Sequence, residues 1–272
     1  MERKPDFLDK QHFGMDDLVA IMQHLRGEGG CAWDRAQTHE SIRKHVLEEA
    51  YEVIDAIESG RPDRLCDELG DLLMQVVFHE RIAREAGEFD MEDVTTGICR
   101  KLISRHTHVF GEDVAGTPDA VIDNWEKNKK IEKGLQNHAD VLDDVPRTLP
   151  ALMRSYKVQQ KARQAGFDWS DIAPVEEKVR EELEEIREAR QAGGADQADR
   201  IADEVGDLLF AVVNYARFLD VQPEMALQRT TERFIRRFRH VEASADAAGR
   251  RLEDMSLEEM DRFWEQAKET GL

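Results

Sequence analysis

The chain is poor in cysteine, proline and positive charge, and it contains no long apolar run; each shortage removes a class of function. Its three cysteines, Cys31, Cys66 and Cys99, are an odd number at wide spacings with no CxxC pair. That excludes a disulfide scaffold or a zinc knuckle and fits reduced thiols. Apolar stretches such as Leu72-Leu73-Met74-Gln75-Val76-Val77-Phe78 fall far short of the roughly 18 residues that span a bilayer. The N-terminus, Met1-Glu2-Arg3-Lys4-Pro5-Asp6, is charged and no apolar signal core follows it, so a soluble, cytoplasmic protein is expected. With 38 Lys and Arg against 58 Asp and Glu the net charge is -20, which repels a polyphosphate backbone and anionic lipid alike. Neither nucleic acid nor membrane is an expected partner. A small anionic ligand fits such a chain only where divalent cations reverse the local charge.

Strict alternation of apolar and polar residues is also missing, and apolar residues recur at three- and four-residue spacing almost throughout. The expected fold class is all-α. Helices are predicted at Met15 to Leu25, Thr38 to Glu58, Asp63 to Ala86, Met91 to Arg105, Pro118 to Lys133, Ala151 to Gln164, Pro174 to Ala192, Asp196 to Leu219, Glu224 to Ala248 and Ser256 to Glu269. Thr117-Pro118 supplies a cap followed by proline at the first helical position, and Ser256-x-x-Glu259 is a capping box. Gly60, Gly87, Gly134 and Gly193-Gly194 mark helix ends.

Between Gly134 and Pro150 the pattern lapses into polar residues and two prolines. The expected organisation is therefore an N-terminal domain over 1–134, a linker over 135–150 and a C-terminal domain over 151–272. The two halves are alike. Glu48-Glu49-Ala50-Tyr51-Glu52 precedes Glu68-Leu69-Gly70-Asp71, and Glu181-Glu182-Leu183-Glu184-Glu185 precedes Glu204-Val205-Gly206-Asp207. Downstream, Lys101 and Arg105 match Arg233 and Arg237, His108 matches His240, and Trp125 and Lys129 match Trp264 and Lys268. A repeat on this scale is a duplicated helical module.

Residues three apart share a helix face, so Glu49 with Glu52, and Glu68 with Asp71, point the same way on consecutive helices. A short turn makes those helices antiparallel neighbours and brings four carboxylates together. Crowded carboxylates raise one another's pKa unless cations neutralise them, and oxygen-only ligands select a hard ion, Mg²⁺ or Mn²⁺. Glu182, Glu185, Glu204 and Asp207 repeat the arrangement. One acidic pair in so acidic a chain is an ordinary solvated face; five acids at fixed positions, occurring twice, are not. Gly70 and Gly206 interrupt otherwise strong helix patterns, which suggests close helix approach or room for a ligand. His39, His79 and His106 read as surface or capping residues. Trp33 and Gln37 either contact a base or belong to a mere connection from Gly27 to Gln37.

These motifs resemble the MazG family of nucleoside triphosphate pyrophosphohydrolases, whose hallmark is EExxE, a spacer, then ExxD. The resemblance covers nearly the whole chain. It includes Cys31-Ala32-Trp33-Asp34-Arg35-Ala36-Gln37-Thr38-His39, similar to the family's CPWD-x-x-QTH segment with Ala32 in place of proline. It implies Mg²⁺-dependent hydrolysis between the α- and β-phosphates of nucleoside triphosphates, with broad base tolerance in nucleotide-pool clearance. By the same resemblance Glu182, Glu185, Glu204 and Asp207 hold metal, as do Glu49, Glu52, Glu68 and Asp71 in the first copy. Lys178, Arg200, Asp203, Arg233, Arg237, Trp264 and Lys268 are implied to bind nucleotide, and Glu181 or Glu182 to orient the attacking water. The second copy is favoured as the main catalytic site because Lys178 is replaced by His45 in the first.

Two other functions compete. A di-iron carboxylate bundle needs Glu-x-x-His on two helices, and Asp71 and Asp207 stand where the histidines belong. A non-catalytic nucleotide-binding or regulatory module retains the same acids. Apolar residues Leu208, Leu209, Phe210, Val212 and Val213 call for cover beyond one helical hairpin, so a four-helix-bundle-like core formed by a homodimer is expected.

Overall fold

The periodicity translates into helices with no strand among the described residues, which in the computed structural model are 6–113 and 116–272. The chain divides into two compact units, one ending at Lys129 and the other beginning at Lys130. The first contains α1 (Met15–Arg26), α2 (Ala32–Ala36), α3 (His39–Ser59), α4 (Pro62–Ala86), α5 (Met91–Arg105) and α6 (Thr107–Phe110), and α7 (Pro118–Glu132) crosses the division. The second contains α8 (His138–Asp143), α9 (Ala151–Gln164), α10 (Ala173–Ala192), α11 (Gln197–Phe218), α12 (Pro223–Ala247) and α13 (Leu257–Glu269).

The long helices fall where the spacing predicts, and their ends carry the expected chemistry. Ser256 Oγ accepts from the Glu259 amide while Glu259 returns a bond to the Ser256 amide. Gly60 and Gly87 close α3 and α4 in the left-handed region that only glycine enters without penalty. The short helices are the departures. Residues 27–37 are not plain connection, because α2 lies within them, and α8 lies inside the stretch read as linker.

In the first unit α3 and α4 form a hairpin against which α1 packs through α4. Met22, Ile42, Val77 and Phe78 are its buried apolar centre, joined by Leu18, Val19, Met74 and Ile82. Arg26 is buried with them; its guanidinium pairs with Glu85 at 2.8 Å, donates to the Asp34 and Gln37 carbonyl oxygens and lies 5.3 Å from the Phe78 ring centre. In the second unit α10 and α11 form the equivalent hairpin, α9 packs on α11, and α12 pairs with α13. Val175, Ala211, Val213, Val241 and Ala245 are buried there. Arg217 plays the part of Arg26, its side chain 6% exposed and bound to Asp168 at 2.5 Å. The duplication reaches detail: Arg105 lies 5.5 Å from the Trp125 ring and Arg237 lies 5.7 Å from the Trp264 ring.

Val213 needs no partner chain, since it is buried within its own unit. Leu209, Phe210 and Val212 on α11 remain exposed, as do Leu69, Leu73 and Val76 on α4.

Candidate active site

Antiparallel pairing of α10 with α11 carries the carboxylates of Glu182, Glu204 and Asp207 to one place, with one oxygen from each within 4.8 Å of the others. The first unit repeats this with Glu49, Glu68 and Asp71. Each group contains three acids where the helix spacing predicts four. Glu185 and Glu52 stand one turn along their helices, each in hydrogen-bonding reach of its group's first glutamate.

Glu182 is the deepest of these acids, 4% exposed. The ammonium of Lys178 lies 2.7 Å from its Oε1 and 2.8 Å from Oε1 of Glu181, whereas Glu182 Oε2 is buried with no hydrogen-bond partner. Hydrogen bonds to Glu181 and then Glu182 hold Lys178 above its ordinary pKa, so it is a permanent cation. Loss of hydration, with the bond to and charge of Glu182, pushes the Glu185 carboxyl upward. In the first unit burial, then the charges of Asp71 and Glu52, push Glu49 upward too. Both clusters thus hold more negative charge than their neighbours neutralise. All-oxygen donors, an unpartnered buried carboxylate oxygen and raised carboxyl pKa values together fit a hard divalent cation.

The copies differ in the supporting groups. His45 takes the place of Lys178 and meets Glu48 at 2.7 Å. Gln75 reaches Glu49, and beyond it a cavity of about 270 Å³ is lined by Leu72, Val76, His79 and Glu80, with both oxygens of the buried Glu80 unpartnered. His79 is not a surface residue. It is half-buried, its Nδ1 lies 2.7 Å from that of His39, and burial, with the charge of His39, lowers its pKa.

A larger cavity, about 550 Å³, opens beside the second cluster, with Lys178, Glu182 and Asp207 in its wall. Arg200, Asp203, Arg233, Arg237, Trp264 and Lys268 are not among its lining residues. Arg200 donates to the Gly193 carbonyl oxygen at 2.7 Å, and Asp203 is exposed. Arg233 binds Thr230, Arg237 donates to the Leu272 carbonyl oxygen, and Lys268 pairs with Glu265. Trp264 packs on Phe234 with ring centres 5.0 Å apart. These four form a basic and aromatic group on α12 and α13. The spacing argument overlooked the cavity residues Gln159, Phe167, Asp168, Trp169, Asn214 and Arg217. One signal was present: Asp168-Trp169 precedes the second acidic copy as Trp33-Asp34 precedes the first. Gly70 and Gly206 do not mark close approach, for a Cβ on either would meet nothing within 4 Å.

Comparison with known proteins agrees with this geometry. The family model described as the MazG nucleotide pyrophosphohydrolase domain matches the chain twice, at residues 37–110 and 170–242. An Escherichia coli K12 protein named nucleoside triphosphate pyrophosphohydrolase is 47% identical over 255 residues, 93% of this chain and 97% of that one. A Thermotoga maritima protein named nucleoside triphosphate pyrophosphohydrolase/pyrophosphatase MazG is 43% identical over 253 residues, 93% and 95% of the two chains.

Proposed function

Because the chain belongs to the MazG family of nucleotide pyrophosphohydrolases and is a hydrolase of nucleoside triphosphates, we propose that its activity is Mg²⁺-dependent and cleaves between the α- and β-phosphates. The products are a nucleoside monophosphate and pyrophosphate, and base tolerance is broad, as nucleotide-pool clearance requires. The observation that carries this is the convergence of Glu182, Glu204 and Asp207 at the edge of the 550 Å³ cavity, with one buried carboxylate oxygen still unpartnered.

Glu182, Glu204 and Asp207, with Glu185 beside them, would hold the cation; Glu49, Glu52, Glu68 and Asp71 would hold its counterpart in the first copy. Mg²⁺, or Mn²⁺ in its place, supplies positive charge against the triphosphate and makes water a better nucleophile at neutral pH. Lys178 is the cation paired with these acids. Its bond to Glu182 would weaken were that carboxylate to hold a cation, and its ammonium would then be available to a phosphate oxygen. Glu181, more than half exposed, is freed by the same movement to orient the attacking water. Arg233 and Arg237 lie one turn apart on α12 and can reach one phosphate chain together, with Trp264 and Lys268 beside them on α13; Arg200 and Asp203 would join them in binding the nucleotide. Lys178 stands beside the acids of the second copy where the first has His45, and this favours the second copy as the main catalytic site.

Incubation of each triphosphate with the protein, followed by anion-exchange chromatography, tests both parts. Monophosphate and pyrophosphate should form with Mg²⁺ or Mn²⁺ and vanish with chelator. Diphosphate and orthophosphate would overturn the assignment to the α-phosphorus, and turnover unaffected by chelator would overturn the metal.

A further inference from the structure

The cavity of about 270 Å³ in the first unit holds an acid that the three-acid cluster does not use. Glu80 on α4 is 1% exposed, and neither of its carboxylate oxygens has a hydrogen-bond partner among the described residues. Around it Val46, Leu72, Val76, Phe89 and Val94 make most of the wall apolar; they come from α3, α4, α5 and the turn between α4 and α5. The other two polar side chains in the wall are committed elsewhere, Gln75 through Nε2 to Glu49 and His79 through Nδ1 to His39. No lysine or arginine lines the cavity, and Arg81, the next residue along α4, pairs with Glu85 at 2.8 Å. Glu80 has no counterpart in the duplication either. It follows Asp71 by nine residues, and nine residues after Asp207 stands Ala216. The acid is thus a feature of the first unit alone and not of the machinery the two copies share.

A carboxylate in an apolar wall is costly, and protonation does not remove the cost, because the acid form keeps an O–H donor and a carbonyl acceptor with nothing to bond. Water relieves it poorly where the rest of the wall is apolar, since a buried water wants two to four polar partners. A hard metal ion asks for several oxygen ligands, and Glu80 offers one carboxylate. An organic cation meets both demands of the cavity. Its N–H groups bond the two oxygens, its hydrocarbon body lies against the aliphatic wall, and the Phe89 ring attracts both charge and apolar atoms. We propose that this cavity binds a small organic cation, an ammonium or guanidinium group on a short aliphatic body, with Glu80 as its counter-ion. The net charge of -20 draws such ions toward the protein. Because Glu80 lies on α4 and Val94 on α5, an occupant ties those helices together and stabilises the first unit.

The full chain is titrated calorimetrically with n-butylammonium and n-butylguanidinium chlorides at constant ionic strength, with n-butanol as the uncharged control, and its thermal midpoint is followed in parallel. At least one of the cations should bind at one site per chain and raise the midpoint, with butanol weaker by about tenfold or more. Glu80→Gln keeps the shape of the side chain and removes its charge. It should weaken cation binding by about 10- to 100-fold, the scale of charge-assisted hydrogen bonds, with circular dichroism confirming helicity. Val94→Phe fills the cavity and leaves Glu80 in place; it should abolish binding, and it carries the test should Glu80→Gln fail to fold. Glu68→Gln should leave binding unchanged, which separates the cavity from the acidic cluster. Cation binding that survives Glu80→Gln, or butanol binding as tightly as the cations, would overturn the proposal. So would loss of binding in Glu68→Gln alone, which would put the cation at the acidic cluster. A native chain that binds neither cation would overturn it as well, and a lower mass for Glu80→Gln in light scattering would then give the acid to a contact between copies.

Discussion

At Glu204 a change to glutamine removes one charge and keeps shape and helix preference, so it isolates the cluster's electrostatic role. Glu204→Gln should lower NTP turnover on the order of 100-fold, the usual scale for damage to a metal-binding shell, with the helical circular dichroism signal intact. Glu68→Gln should spare most turnover, since the cluster of the first copy has His45 where the second has Lys178. A dead Glu68→Gln beside an active Glu204→Gln would reverse the assignment. Glu85 carries a prediction of another kind. Burial pushes its carboxyl up, but hydrogen bonds from Arg26 and Arg81 more than offset that and hold it below the ordinary glutamate range. A carboxylate depressed in this way contributes stability that is present above its unfolded pKa and is lost as pH falls through the folded value. Glu85→Gln also strands the buried Arg26, so it should cost about 1–2 kcal/mol at neutral pH. That deficit should shrink at acid pH, below the ordinary glutamate range, as the native carboxylate is itself protonated. Urea melts of both proteins at the two pH values measure it, and a deficit independent of pH would refute the role given to this pair.

Among the elements, α11 is a long helix with a glycine one residue before Asp207. Nothing lies within 4 Å of where its Cβ would be, so the interior glycine has only its entropic cost and no packing benefit. Gly206→Ala is expected to raise stability by about 0.5–1 kcal/mol, seen as an upward shift in the thermal midpoint. A lower midpoint would show that the residue's surroundings are tighter than the open space described. The long helices were legible in sequence because a dozen or more residues repeat the three- and four-residue spacing several times. Helices α2, α6 and α8 were not. Each has six residues or fewer, too short for a period to show, and is held by caps and neighbours, as Asn137 caps the start of α8.

For the whole molecule, Leu209, Phe210 and Val212 stay exposed on α11, as do Leu69, Leu73 and Val76 on α4, apolar side chains grouped as at an interaction surface. A homodimer whose hairpins paired into four-helix arrangements would cover it, and that is the expected assembly. Light scattering should return twice the mass of the chain, and the double change Leu73→Asp and Leu209→Asp should return the single mass; a monomeric native protein would rule the arrangement out. Sequence by itself determined the helical class, the duplication and the identity of the clustered acids, because helix periodicity and repeated spacing are local properties written along the chain. It also carried the family resemblance. Tertiary structure decided which acids meet, leaving Glu185 and Glu52 a turn aside, and which apolar residues stay bare, burying Val213 while exposing Val212. It also created the chamber of Gln159 and Asn214. Those residues are 55 positions apart on α9 and α11, and no local pattern links them. Only the packing of one helix on the other sets the two amides in the wall of one cavity.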